Sequence, residues 1–408
     1  MIDINKIKLS AREQNIAKIL NCVVNGEDVS SLDIGKKTGL SVSTISRVLS
    51  LLKEKKIIIN VGKELTDIGR RPDLLRLNKD FGHIVFLDVF QGGIVSYLAD
   101  LNNNIRKKEE FIFEQDITLN AFKEGITKVY DKLVTKENPR GFPILAAGIS
   151  IPGVVNDDDN TISRIPNIYN FNEINLSSFI TDILDVPAVI CNDSSLAAVG
   201  LKIERYPEYD NLVYMSFTEP MGIGGGVIID GQLYKGTNNA AGEIGNMFVD
   251  IRNFDEDYQS PGCMETMAGL NNLYNELLNA IKEGKSKVLQ ELLQASGKSK
   301  LNIDLIEQAI SANDQDTQEI YDRYIRIWAI GIINIVSLFD PRIIIIGGKI
   351  NPNNEWTLDR IKKYVKKGVY REPKILISEM SEKAAFIGGL HTTKSYVFNN
   401  LLLKEALN

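Results

Sequence analysis

Five short stretches of the sequence concentrate residue types that recognise or activate hydroxyl groups. The apolar run Val189-Ile190-Cys191 delivers Asn192 and Asp193, with Ser194 opening a helix behind them. Ala241-Gly242-Glu243-Ile244-Gly245-Asn246 sets a carboxylate and an amide among glycines, and Gly262-Cys263-Met264-Glu265 places another carboxylate just before a helix. Ile151-Pro152-Gly153 closes a further apolar run, and Pro166-Asn167 follows in the next loop. Carboxylates accept hydrogen bonds and amides both accept and donate, so convergent carboxylates and amides suit the adjacent hydroxyls of a neutral polyol. An aspartate at a strand end, as Asp193 is, can also deprotonate a hydroxyl for phosphoryl transfer. Taken singly, each stretch reads as well as a cap or a turn, and Asn192-Asp193 before two serines would cap a helix. Glu243 resists that reading, because glycines on both sides point to backbone crowded against something else.

The elements that must position these residues read as α/β from His83 onward. His83–Val89, Ile94–Leu101 and Ile105–Phe113 are strand-like, a helix covers about 119–136, and Ile144–Ile151 is a further strand. The second half repeats the plan: strands at Leu212–Phe217 and Ile223–Asp230, a hairpin turn at Asp230-Gly231, a return at Gln232–Tyr234, helices over 264–339 and a strand at Ile343–Ile346. Two such copies predict two lobes facing a cleft, a first over 81–200 and a larger second over 201–383. A C-terminal helix at about 384–408 returns to the first.

Residues 1–80 have a different texture. Ile16, Ile19, Leu20 and Val23 recur at helical spacing within 11–25, and a short helix follows at Ser31–Lys37. A turn at Thr38-Gly39-Leu40 leads to a third helix, capped by Ser41 or Ser43, with Ile45, Val48, Leu51 and Leu52 inward. Helix, turn, helix is a DNA-binding plan. The outward residues Val42, Ser43, Thr44, Ser46 and Arg47 suit base edges and phosphates. Ile57–Gly62 and Leu74–Asn78 read as a wing hairpin, and Gly69-Arg70-Arg71-Pro72 between them holds two arginines suited to a narrow minor groove. A three-helix interaction module with a solvated basic surface is the plainer alternative.

Charge separates the same two parts. The chain of 408 residues carries a net −6, but residues 1–80 hold 15 Lys and Arg against 10 Asp and Glu, leaving −11 on the rest. A basic front on an acidic body keeps nucleic acid open as a partner. Three well-separated cysteines and the lack of a membrane-length apolar run or an apolar leader fit a cytoplasmic protein without disulfides or membrane attachment.

The motifs together resemble the ROK family (repressors, open reading frames and sugar kinases), and within it the winged-helix repressors for xylose and N-acetylglucosamine. Gly-Arg-Arg-Pro at 69–72, Ile-Pro-Gly at 151–153, Asn-Asp at 192–193, Asp-Gly-Gln-Leu-Tyr-Lys-Gly at 230–236 and Ala-Gly-Glu-Ile-Gly at 241–245 occur in the family's order over nearly the whole chain. The resemblance implies an N-terminal winged helix-turn-helix plus an α/β two-lobed, actin/hexokinase-like body that binds sugar. On this reading Asn167, Asn192, Asp193, Glu243 and Glu265 match sugar-binding positions, Asn246 replaces a histidine that contacts sugar, and Asp193 matches the kinase base. The kinase features are damaged. The phosphate loop reads Asp88-Val89-Phe90-Gln91-Gly92, and the second phosphate motif reads Pro220-Met221-Gly222-Ile223-Gly224, with one backbone donor and one hydroxyl lost. The family's zinc site loses its histidine to Asn246, and Tyr258–Cys263 keeps one thiol. We therefore expect no zinc, weak or absent ATP binding and no useful kinase activity.

The function expected is a repressor that binds operator DNA through Ser43, Thr44, Ser46, Arg47, Arg70 and Arg71, as a homodimer or homotetramer. A monosaccharide or sugar phosphate would be its effector. A sugar kinase with a fused DNA-binding front, and a regulator driven by a protein partner, are the alternatives.

Overall fold

The computed structural model describes residues 10–24, 28–63, 73–90, 92–113, 118–137, 141–155, 162–164, 175–219, 222–251, 262–298 and 300–402. Asn167, Arg70, Arg71, Gln91, Pro220, Met221 and Tyr258–Pro261 lie outside these residues.

Helix α1 (Ala11–Val24) buries Ile16, Ile19, Leu20 and Val23, the stripe that its sequence spacing predicts, and Ala17 with them. A two-residue strand β1 (Val29–Ser30) leads into α2 (Ser31–Thr38). Ser30 and Asp33 cap α2 reciprocally, each side chain bonding the other's backbone N–H. Gly39, in the left-handed region, ends α2, and α3 (Val42–Glu54) starts three residues later. Of the two serines offered as its cap, Ser41 does the work, accepting from the Thr44 N–H at 3.2 Å. The buried face of α3 is Ile45, Val48, Leu49 and Leu52. Leu51, expected inward, is only half-buried, and Leu49 takes its place because it completes the i, i+3, i+4, i+7 stripe that starts at Ile45.

Strands β2 (Ile58–Lys63) and β3 (Asp73–Leu77) pair antiparallel with a bulge at Asn60–Gly62, and β1 adds to β3 on its far side. The front segment is thus three mutually packed helices against a three-stranded sheet ordered β1-β3-β2.

The next sheet is ordered β10-β7-β4-β5-β6. Strands β4 (His83–Phe90), β5 (Gly93–Asp100) and β6 (Ile105–Ile112) form an antiparallel meander, and β7 (Ile144–Ile151) runs parallel to β4. Between β6 and β7 in the chain, α4 (Leu119–Glu137) packs on β5 and β6, and its Phe122, Ile126, Val129 and Leu133 join Val85, Leu87, Ile94 and Ile149 in one core. A small ribbon of β8 (Val154–Val155) and β9 (Ile162–Arg164), then α5 (Leu176–Leu184), lead to β10 (Ala188–Asn192).

The following helix α6 (Asp193–Glu204) opens a second sheet of the same plan, ordered β13-β12-β11-β14-β15. Its meander is β11 (Leu212–Phe217), β12 (Ile223–Ile229) and β13 (Gln232–Tyr234), with the tight turn at Asp230-Gly231. Helices α7 (Cys263–Ala268), α8 (Leu270–Lys282), α9 (Lys287–Ala295), α10 (Ile303–Ser311) and α11 (Gln315–Phe339) intervene before β14 (Ile343–Gly348). Then come α12 (Glu355–Val365), β15 (Lys374–Ile377) and α13 (Ser381–Tyr396). The four isoleucines of β14 are all fully buried, as a strand between two parallel neighbours and covered on both faces requires. Trp328 of α11 anchors this core, its ring 4.4 Å from that of Phe217 and its N–H donating to the Ala268 carbonyl at 2.9 Å.

The chain divides into two compact units, residues 1–191 with 389–408, and residues 192–388. The division falls at 191, nine residues before the expected lobe boundary at 200, and the return to the first unit begins within α13 at 389. Gly389 makes that return possible, since a β-carbon there would enter the ring of Phe86.

Candidate functional site

The second unit gathers Asn192, Asp193, Glu243, Asn246 and Glu265. Asn192 caps α6, accepting from the Ser195 N–H at 2.9 Å, so its backbone turn sets the direction of the next side chain. Asp193 takes the first helical position, where the helix dipole favours a negative charge. Its Oδ1 accepts from the Ser194 N–H at 2.6 Å and from the Ser194 hydroxyl at 3.2 Å. Burial raises the pKa of Asp193, and the Ser194 hydrogen bonds restrain the rise. Ser194, itself buried, is a positioning residue that the sequence reading left as a helix start. The available signal was a hydroxyl directly after the aspartate.

Glycines bring the other carboxylates to Asp193. Strand β12 begins Ile223-Gly224-Gly225-Gly226, and a β-carbon on Gly224 would sit 2.7 Å from the Ser194 hydroxyl, so the strand lies flat on the start of α6. Gly242 approaches the same strand from the other direction: its β-carbon would lie 2.5 Å from the Gly225 carbonyl oxygen, and its φ of +94° suits glycine. That close approach delivers Glu243, followed by a single 3-10 turn at Ile244–Asn246. A β-carbon on Gly245 would lie 2.9 Å from Glu265 Oε2. Glu265, in the first turn of α7, also accepts from the Ile223 N–H at 3.3 Å.

The outcome is three carboxylates on three elements sharing one field. Glu243 records it, with a pKa raised to about 7 by burial and then by the charges of Asp193 and Glu265. Asp193, Glu243 and Glu265 are all half-buried, which keeps them open to a ligand. Hydroxyl donors fit such a set: each carboxylate can accept one or more, and every hydrogen bond offsets like-charge repulsion without an added proton. Asn246 is exposed and borders the turn after Glu243, and a β-carbon on Gly262 would collide with its backbone. Asn167 falls outside the described residues.

The places that would hold a nucleotide or a metal differ in kind. Phe90 ends β4, and its ring lies across the hairpin turn, 3.1 Å from where β-carbons on Gly92 and Gly93 would stand. The ring thus covers one side of the Gly92–Gly93 backbone. Gly347 and Gly348 are accounted for by packing alone, since β-carbons there would strike Tyr214 and the Phe217 backbone. Cys263 is buried with its sulfur 3.8 Å from Met267 Sδ. Among the described residues no three His, Cys, Asp or Glu side chains form a metal-ligand group, and one thiol beside an amide does not fit a structural zinc site.

On the front segment, Val42, Ser43, Ser46 and Arg47 are exposed along α3, while Thr44 is half-buried with its hydroxyl 2.9 Å from that of Ser41. No described helix is long and apolar enough to cross a membrane.

Known proteins share this construction. The "Xylose repressor" of Caldicellulosiruptor bescii is 25% identical over 393 residues, covering 92% of this chain and 94% of that protein. A crystal structure of a ROK family transcriptional regulator, a homolog of the E. coli MLC protein, superposes with a TM-score of 0.81 at 19% identity, over 97% of this chain and 99% of that one. A ROK hexokinase from Thermus thermophilus superposes with a TM-score of 0.62 at 18% identity, over 77% of this chain and 99% of its own. The body is therefore of the ROK kinase fold. The sequence pattern of the ROK family matches residues 88–394, and the chain belongs to the ROK family.

Proposed function

We propose that this chain is a sugar-responsive transcriptional repressor acting in the cytoplasm, with a winged helix-turn-helix over residues 1–80 and a monosaccharide or sugar-phosphate site in its ROK body. The observation that carries the reading is a helix-turn-helix exposing Ser43, Ser46 and Arg47 in the same chain as the Asp193–Glu243–Glu265 carboxylate set. The regulator that superposes over 97% of the chain supports it, as does the repressor name of the sequence relative. The chain binds operator DNA as a homodimer or homotetramer, and symmetric half-sites follow from the two-fold symmetry of such an assembly. Sugar shifts DNA affinity by the difference between its affinities for the DNA-competent and DNA-incompetent states. Xylose is the first effector to test, in a panel of monosaccharides and their phosphates. Operator affinity is expected to change with at least one of them, and a flat response across the panel would remove the sensor role.

Arg47→Ala is expected to cost about 1–3 kcal/mol of operator binding, and to relax preference at one base pair if the guanidinium reads a base edge. A competition assay with single-base operator variants measures both. Arg70→Ala with Arg71→Ala is expected to weaken all duplexes alike and to reduce the salt dependence.

One observation favours a kinase: Asp193 holds the position of a base at the start of α6, in a body of the hexokinase fold. The Phe90 ring over the β4–β5 turn opposes it, and we propose that the protein carries neither nucleotide nor zinc. Incubation with hexoses, pentoses and ATP is expected to release no ADP above background, and sustained turnover would replace the repressor reading by the kinase one.

A further inference from the structure

The acidic balance of the body hides a local reversal. Residues 360–374 (RIKKYVKKGVYREPK) hold seven Lys and Arg against a single Glu, a balance of +6 inside a body that sums to −11. The structure makes them one surface, running from the last turns of α12 to the first residue of β15. Ile361 and Val365 turn into the core of the second unit, leaving Lys362 and Lys363 exposed on the last turn of the helix and Lys366 and Lys367 exposed just past its end.

Carboxylates neutralise little of it. Lys366 pairs with Glu372 at 3.4 Å and Arg360 with Asp322 at 3.1 Å. Lys363 and Lys367 instead sit 6.0 and 5.5 Å from the ring centre of Tyr364, and among the described residues no carboxylate pairs with Lys362, Lys363, Lys367 or Arg371. Tyr370 projects fully into solvent beside Arg371. The dipole of α12 favours cations in its last turn, which accounts for Lys362 and Lys363 but not for Lys366 to Lys374 beyond it.

The chemistry selects among partners. A protein interface has an apolar centre, and this surface exposes no aliphatic side chain. A bilayer-binding helix offers an apolar face, and that of α12 is spent on the core. A run of exposed lysines that carboxylates leave largely unneutralised matches instead the closely spaced phosphates of a nucleic-acid backbone. We propose that the α12–β15 surface is a second, sequence-independent contact to nucleic-acid phosphates, separate from the helix-turn-helix. The proposal rests on the reading of the chain as a DNA-binding regulator.

The test uses the full chain with Lys362, Lys363, Lys366 and Lys367 changed to Gln, which keeps helix propensity. Binding to a mixed-sequence duplex of about 60 base pairs is measured against salt concentration, and the slope is expected to become shallower by roughly two to four. An unchanged slope, with Arg47→Ala still weakening the same duplex, overturns the second contact and leaves the regulator reading intact. No duplex binding by the parent chain overturns both. Loss of binding to phosphatidylserine vesicles with an unchanged DNA slope reassigns the surface to membranes and overturns the proposal. An unchanged urea midpoint by tryptophan fluorescence confirms that the variant is folded.

Discussion

Glu243→Gln is expected to shift the response to sugar to at least tenfold higher concentration while making the free protein more stable above pH 7. Glu243 has a folded pKa of about 7 against an ordinary value of 4.5, the rise coming from burial and then from Asp193 and Glu265. Between those two values the folded state holds a proton that the unfolded chain has released. Stability therefore falls as pH rises through the window, and the full cost, on the order of 3 kcal/mol, is present above pH 7. Asp193, also raised by burial, adds to the same trend. Glutamine keeps the size and removes the charge, so the variant's melting temperature above pH 7 should rise by several degrees and its decline between pH 5 and 8 should flatten. Sugar should show the opposite effect. Hydroxyls donating to a carboxylate are worth about 1.5–3 kcal/mol each, so the variant is expected to lose at least tenfold in affinity, and on the order of a hundredfold for two lost bonds. In the parent, sugar affinity should climb as pH passes 7, because the ligand replaces the proton. Both tryptophans, Trp328 and Trp356, lie in the second unit, so intrinsic fluorescence follows this unit without labels. A glutamine variant that responds to sugar at the parent's concentrations would mean that something other than this carboxylate senses the effector, a protein partner included.

Much of this site was legible in the sequence, for a definite reason. Apolar runs bounded by turn residues locate strands well: Ile144–Ile151 and Leu212–Phe217 have the bounds that the sequence predicts. Glycines beside Glu243 signalled a close approach, and the structure identifies its target as the Gly225 backbone. What the sequence lacked was distance. Positions 193, 243 and 265 meet only because β12 returns along β11 and presents its glycines to α6, a fact of register that no local pattern carries. Short elements escaped for a related reason. β1 has two residues, too few for alternation to register, and exists because β3 offers it an edge. In α3 the exchange of Leu51 for Leu49 follows helical spacing itself, since Ile45, Val48, Leu49 and Leu52 fall at i, i+3, i+4 and i+7 and Leu51 lies off that stripe. The basic run at 360–374 was hidden by summation over the whole body, as the basic front was hidden in the net −6.

Gly242→Ala tests whether close packing of glycines is what assembles the carboxylates. Two costs coincide at this position. A φ of +94° strains any residue with a β-carbon, at about 1–2 kcal/mol, and that carbon would fall 2.5 Å from the Gly225 oxygen and 3.0 Å from its carbonyl carbon. Both atoms are backbone of β12, held between β11 and β13, so no side chain can rotate aside. Relief requires the loop to lift from the strand, which adds about 1–3 kcal/mol of overpacking and carries Glu243 away from Asp193. The expected loss is about 2–5 kcal/mol in urea unfolding followed by tryptophan fluorescence, together with the sugar response. Gly297 supplies the control: its φ is +64°, with nothing within 4 Å of a β-carbon, so Gly297→Ala bears the backbone strain alone, about 1–2 kcal/mol. Operator binding in the absence of sugar should survive both changes below the unfolding midpoint, since the front segment belongs to the other unit. If Gly242→Ala costs no more than Gly297→Ala and still responds to sugar, the loop has slack, and Glu243 is held by its own contacts and not by the glycine against β12.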